Sequence, residues 1–261
     1  MINTKRHDRI EEIMRIAHEQ GNASTIFLAK SLGVSESSIR RDINYIVSSE
    51  KFRNVKRVYG GMVLEDETEG HELMFELKLA LNHELKTKIA REASRFIDDG
   101  DHIVIDSGTT CLCLAEHLHD KGKLRVITLD IRVAEELGKH SNIESNIIGG
   151  VVRPGYYTVG GIRALENLDS FSASKVFMSV DGIDIEHGIT NASEFEVGVK
   201  RRIIQMASHV YVLADHEKIG THALYRVAPL SSVQTIITDK QIAPDKAAAI
   251  RELNIELILA E

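Results

Sequence analysis

The chain has 261 residues, 43% hydrophobic and 27% charged, with 18 Gly, 3 Pro, 2 Cys and no Trp, a globular composition that excludes disordered and low-complexity classes. No apolar run approaches the roughly 18 residues needed to span a bilayer, and the start Met1-Ile2-Asn3-Thr4-Lys5-Arg6 lacks the apolar core of a signal peptide, so a cytoplasmic protein with no membrane partner is expected. The net charge of −7 is unevenly divided: residues 1–63 hold 11 Lys/Arg against 7 Asp/Glu, and the remaining residues hold 21 against 32. A basic module on an acidic body suggests that one end meets a polyanion.

In chain order, the first 63 residues read as three helices and a short hairpin. Ile10, Ile13, Met14 and Ala17 recur at helical spacing and stop at Gly21. Ser24 can cap a second helix carrying Ile26, Leu28, Ala29 and Leu32. After the turn Gly33-Val34-Ser35, Ser35 caps a third helix running through about Ser48. Lys51 to Gly61 then reads as a hairpin closed by Gly60-Gly61, which completes the outline of a winged helix-turn-helix. Residues 64–84, opening on Glu65-Asp66-Glu67, read as a linker in which Phe75 to Leu85 can form a helix.

Residues 85–261 alternate strand and helix. Strands are expected at Ile103–Asp106, Arg125–Thr128, Ser145–Ile148, Lys175–Val180, Val210–Ala214, Thr235–Thr238 and Glu256–Leu259, with helices from Thr109, from Ile131, over Glu194–Ala207 and over Pro244–Leu253. Mostly continuous apolar strands between helices predict an α/β domain whose largely parallel sheet is covered on both faces. Cys111 and Cys113, two apart on a helix, point in different directions and read as core thiols. The twelve histidines show no metal-binding spacing, so neither metal nor cofactor is expected.

On the third helix, at about 100° per residue, Ile39, Ile43 and Ile46 share one face while Ser37, Arg41, Asn44 and Tyr45 lie opposite, with Arg40 on the flank. This outward set offers a guanidinium fork for guanine and an amide for adenine. The hydroxyls of Ser35, Ser37 and Ser38 suit phosphates. The hairpin cations Lys51, Arg53, Lys56 and Arg57 suit phosphates or the minor groove, and double-stranded DNA is the expected partner.

In the second domain, Asp106-Ser107-Gly108-Thr109-Thr110 joins a strand to a helix, where hydroxyls and amides at a helix N-terminus make a phosphate site. Gly149-Gly150, Asp181-Gly182-Ile183-Asp184 and Asp215-His216-Glu217-Lys218 follow other strands and would reach the same sheet edge, with Lys218 as counter-charge. A small phosphorylated ligand fits this set, its hydroxyls near Asp106, Asp130 and Asp181.

At this point the chain resembles, over nearly its whole length, the DeoR family of bacterial transcription regulators. Leu28 through Ile43 resembles the family's helix-turn-helix signature and Tyr59-Gly60-Gly61 its wing motif; Lys88-Ile89-Ala90, Asp106 to Thr110, Gly149-Gly150, Asp181 to Asp184, Gly188-Ile189-Thr190, Glu196, Lys200 and Ala214 to Lys218 follow in order. The resemblance implies a C-terminal sensor domain similar in fold to ribose-5-phosphate isomerase and an effector that is a phosphorylated sugar, contacted also by Thr128 and Glu196. It further implies a homodimer or homotetramer and repression of carbohydrate genes. The chain departs from the family pattern in having Glu50 for a glycine, a longer segment 51–58, and Thr128-Leu129-Asp130 in place of Thr-Asn. The alternative is an isomerase-like enzyme using Asp181, Asp184 or Glu196 as base. The glycine-rich lysine loop of isomerases is not found and a DNA-binding module would be unexplained, so no catalytic residue is assigned.

Overall fold

A computed structural model describes residues 2–49, 52, 55–64 and 75–261. The chain divides into two compact units, Met1–Leu81 and Asn82–Glu261. Arg53 and Glu50 of the sequence reading, with Lys51 and the acidic stretch 65–70, lie outside the described residues.

The first unit opens with helix α1 (Ile2–Gln20), whose Ile10, Ile13, Met14 and Ala17 are buried as the periodicity requires, and which ends at Gly21 with φ 72°. Ser24 caps α2 (Thr25–Leu32) by accepting the Phe27 amide, and Gly33 closes α2 in the left-handed region. Ser35 then caps α3 (Glu36–Ser48) through the Ser38 amide. Strands β2 (Val55–Val58) and β3 (Gly61–Leu64) form the wing. One element was not foreseen: Asn22–Ser24 forms strand β1 and pairs antiparallel with β3, giving the sheet order β1-β3-β2. Ile39, Ile43 and Ile46 join the core that α1 and this sheet enclose.

The helix expected over Phe75–Leu85 is split: α4 (Phe75–Ala80) belongs to the first unit, and α5 (His83–Ser94) opens the second. A seven-stranded parallel sheet follows: β4 (His102–Ile105), β5 (Leu124–Thr128), β6 (Ile143–Ile147), β9 (Lys175–Ser179), β12 (His209–Leu213), β14 (Thr235–Asp239) and β15 (Glu256–Ala260). Its order is β15-β14-β12-β9-β4-β5-β6. The chain runs outward from β4 to β6, then returns to place β9 on the other side of β4. Carboxyl ends of adjacent strands therefore diverge between β4 and β9, the switch point where open α/β sheets hold ligands. One face of the sheet (Val104, Val176, Met178, Val210, Val212, Ile236) builds a core with α8 (Ile162–Leu168), α9 (Glu194–Met206) and α10 (Pro244–Glu252). On the other, α5 packs against α6 (Thr109–Glu116), and Phe177 stacks on Tyr211 with ring centroids 4.6 Å apart.

Two further sheets decorate the edge. Hairpin β7 (Val151–Val152) and β8 (Val159–Gly160) lies along the β5–α7 connection, with Thr158 bridging Asp130; α7 is Ile131–Leu137. Strands β10 (Gly182–Asp184), β11 (Gly188–Asn191) and β13 (Tyr225–Ala228) form an antiparallel sheet. The expected loop at Asp181–Asp184 is thus mostly a strand. A Cβ on Gly182 would lie 2.7 Å from Thr190 Oγ1 and from the Thr221 carbonyl, so close strand packing explains this glycine. A Cβ on Gly150 would likewise lie 2.6 Å from the Gly160 carbonyl of the hairpin, and the Gly149 amide donates to Asn167.

Candidate DNA-reading face and effector site

On α3 the periodicity sorts the side chains. Ser35, Ser37, Arg40, Arg41, Asn44 and Tyr45 are exposed, while Ile39, Asp42, Ile43 and Ile46 are buried. Ser35 Oγ lies 2.9 Å from Ser37 Oγ and 3.0 Å from Ser38 Oγ, a hydroxyl cluster at the helix N-terminus. Arg40 pairs with Glu36 at 2.8 Å one turn earlier, and Arg41 Nε reaches only the Ser37 carbonyl of its own helix. Asp42, in the same arginine-rich run, is structural: its carboxylate accepts from Arg6 at 2.9 Å and Arg9 at 2.6 Å, tying α1 to α3. Arg6 also lies over the Tyr45 ring at 4.9 Å, so Tyr45 is braced as well as exposed. Across from α3, the wing presents exposed Lys56, Arg57 and Tyr59. A groove of about 790 Å³ between α2, α3 and the wing is lined by Ile26, Glu36, Arg40, Arg57 and Tyr59.

At the switch point of the sensor sheet, β4 ends at Ile105 and the chain turns through Asp106, Ser107 and Gly108 into α6. Gly108 has φ 121°, and a Cβ there would sit 2.2 Å from Ser179 Oγ at the end of β9. Ser179 Oγ instead donates to the Ser107 carbonyl at 2.7 Å. No side chain caps α6, which leaves the amides of its first turn as donors for an anion. Buried polar atoms without a hydrogen-bond partner include Asp106 Oδ1, Thr158 Oγ1 and Asp215 Oδ1 in loops that follow strands and Thr110 Oγ1 in the first turn of α6. Groups of this kind are met by a partner from outside the chain, water or ligand.

The charge balance comes from residues the sequence reading undervalued. Lys200 on α9, 2% exposed, places Nζ 2.5 Å from Asp106 Oδ2 and 2.9 Å from the Ser179 carbonyl. One turn earlier, Glu196 lies 3.9 Å from Lys200, accepts from Asn191 at 3.1 Å, and pairs with Arg153 of the β7–β8 hairpin at 2.9 Å. Arg153 in turn stacks on Tyr156 at 3.7 Å. Burial pushes the Lys200 ammonium toward neutrality, but the Asp106 and Glu196 carboxylates outweigh it and hold the amine above its ordinary value. Beyond the family resemblance at Glu196 and Lys200, the sequence marks this cluster by a Glu–Lys pair four apart on a helix whose neighbours Val197, Val199 and Ile203 are buried.

The remaining site residues fall as follows. Asp130 caps α7, accepting the Arg132 amide at 2.8 Å and the Val133 amide at 3.2 Å on Oδ1, while Oδ2 accepts the Gly108 amide at 3.1 Å. Burial raises its carboxyl to about 6 against the lowering effect of those three amides. Thr128 accepts the Asp130 amide. Asp181 accepts the Ala192 amide, and Asp184 holds its own turn by accepting from the Glu186 amide and from the amide and ring of His187. Lys218 sits half-buried in a short turn after β12, its amide donating to the Asp215 carbonyl. The cation set on Asp106 is therefore Lys200.

A winged helix-turn-helix joined to a parallel α/β unit, with donors gathered at the sheet's switch point, defines a ligand-responsive transcription regulator. The comparisons agree. The DeoR-like helix-turn-helix domain model matches residues 9–68 and the DeoR C-terminal sensor domain model matches residues 81–240. The chain belongs to the DeoR family of transcription regulators. Among its relatives are the putative sgc region transcriptional regulator of Escherichia coli K12, 39% identical over 99% of this chain and 98% of that protein, and the transcriptional repressor GlcR of Bacillus subtilis, 32% identical over 97% and 96%. The glycerol-3-phosphate regulon repressor of Escherichia coli K12 is 29% identical over 92% of each chain. Of solved structures, ribose-5-phosphate isomerase A of Methanocaldococcus jannaschii is 17% identical with a TM-score of 0.39, covering 52% of this chain and 54% of that one.

Proposed function

We propose that this regulator represses carbohydrate genes in the cytoplasm, binds operator DNA through α3 and the wing as a homodimer or homotetramer, and releases it when a phosphorylated sugar occupies the β4–α6 turn. The observation that carries the sensor reading is the uncapped α6 N-terminus at the switch point, with Asp106 Oδ1 and Thr110 Oγ1 buried and unpartnered beside it. The amides of Gly108, Thr109 and Thr110 suit the phosphate, and the carboxylates of Asp106 and Asp215 suit sugar hydroxyls. On the DNA side, Arg41 and Asn44 face base edges, Arg40 can leave Glu36 for a phosphate, and Lys56 and Arg57 supply salt-sensitive affinity. The Lys200–Asp106 pair speaks for binding rather than turnover, since a lysine held charged by neighbouring carboxylates makes a poor general base at neutral pH.

The test is a calorimetric panel of hexose, pentose and amino-sugar phosphates against the free sugars, run alongside operator gel shifts. Sugar phosphates should bind, free sugars should not, and Thr109→Val should abolish operator release while sparing basal DNA binding. Equal affinity for sugar and sugar phosphate, or product formation in the same samples, overturns the reading. Light scattering that shows a monomer with and without DNA overturns the assembly.

A further inference from the structure

The Gly108 amide, one of the donors that an anion at the α6 N-terminus would use, is occupied. Asp130 divides its carboxylate between two jobs: Oδ1 caps α7 through the Arg132 and Val133 amides, and Oδ2 reaches across to Gly108 at 3.1 Å. The side chain is fully buried, so an arriving phosphate would meet a carboxylate on the same amide. Two anions on one donor repel, and burial leaves little water to screen them.

We propose that Asp130 is a positioning residue that holds the Gly108 amide closed and yields it to the effector's anion, so that anion binding at the β4–α6 turn is coupled to proton uptake by Asp130. The inference rests on the turn being the effector's anion site. The protonated carboxyl keeps Oδ1 as acceptor for α7 and carries its hydrogen on Oδ2, where it faces the Gly108 N–H donor to donor and lets it go. The proton comes from solvent. Charged and titratable neighbours are consistent with this. The Asp106 carboxylate of the β4–α6 turn already disfavours a second negative charge, with Lys200 beyond it fully engaged. The Cys111 thiol on α6 is held neutral by burial, the Arg132 guanidinium of α7 lies over the Tyr157 ring at 5.3 Å, and the hairpin contributes Tyr157 and Thr158. A carboxyl already raised to about 6 needs only a modest further push from an adjacent anion to bind its proton near neutral pH.

Asp130→Asn separates the two jobs. An asparagine retains an oxygen for the α7 cap, a position that favours it, and presents an NH₂ group to Gly108, which reproduces the released state at every pH. The experiment titrates full-length wild type and Asp130→Asn with sodium sulfate, whose charge is constant from pH 5.5 to 7.5, and with inorganic phosphate, at fixed ionic strength. Wild type should bind sulfate about tenfold more tightly at pH 5.5 than at 7.5. Asp130→Asn should show no slope and should match the acid wild-type affinity. The Gly108 amide resonance of the anion-free wild type should titrate with a midpoint near the Asp130 value, a readout that stands even where the variant fails to fold. Parallel slopes in the two proteins, or a Gly108 amide that does not titrate, overturn the latch. Failure of both proteins to bind either anion overturns instead the reading of the turn as an anion site.

Discussion

Both halves of the molecule carry Arg/Lys–carboxylate pairs at helical spacing of four, and the two behave oppositely. Glu36–Arg40 on α3 is 45% and 60% exposed at the side chains, whereas Glu196 and Lys200 on α9 are 9% and 2% exposed. In water such a pair contributes tenths of a kcal/mol and exchanges partners freely. Out of water the same groups are costly unless every charge is met, and once met they hold position. The chain thus keeps the exposed face of α3 in loose pairs and the switch-point cluster in locked ones.

The sharpest way to break that contrast is to remove one partner of the locked pair. Lys200→Ala leaves the buried Asp106 without its cation and should cost about 3–5 kcal/mol in denaturant unfolding of the sensor transition. The double variant Lys200→Met with Asp106→Asn should recover a large part of it. On the reading surface, Arg41→Ala should leave unfolding unchanged but cost roughly 1–3 kcal/mol on the true operator and relax sequence preference in gel-shift titration.

Asp130 gives a comparison in pH. Its folded value near 6 lies above the unfolded 3.8, so between those values the folded protein binds more protons than the unfolded chain. Its contribution therefore becomes more stabilising as pH falls through 6 and toward 4. The stability of wild type relative to Asp130→Asn should rise by about 2 kcal/mol from pH 7 to pH 4.5, measured by chemical unfolding. The smallest effect belongs to the loose pair: Glu36→Gln should change stability by less than about 0.5 kcal/mol, and any effect on operator affinity should diminish as salt rises.

The expected elements survive best where their causes are local. The α2 and α3 boundaries follow from Ser24 and Ser35, each accepting an amide three residues on, and from Gly33 in the left-handed region. Strand β1 carries no such signal. It spans three residues, reads as a loop between helices, and exists because Asn22–Ser24 pairs with Gly61–Val63. The same holds for β13 (Tyr225–Ala228), a four-residue run that exists because it pairs with the distant β11. In the site, Asp106 to Thr110 was legible as a strand-to-helix turn. Lys200 was not given a role because a glutamate and a lysine four apart on a helix ordinarily mark a solvated face, and only the β4 turn packing over α9 buries them. Arg153 had no local mark at all, since the hairpin that brings it to Glu196 is set by pairing with the β5–α7 connection.

The sequence by itself determined what depends on near neighbours: helical faces, capping serines, apolar strands, a basic first module, and turns rich in glycine and hydroxyls. Those features act over one or two turns of chain, where periodicity and hydrogen bonding to adjacent amides decide the outcome. Only the tertiary structure decided which of the many charged groups lose their water. Strand order placed β9 and β5 on either side of β4; the first juxtaposition buried Lys200 against Asp106, and the second closed Gly108 on Asp130. Desolvation is a property of the folded surroundings and cannot be assigned to a residue until distant segments have met.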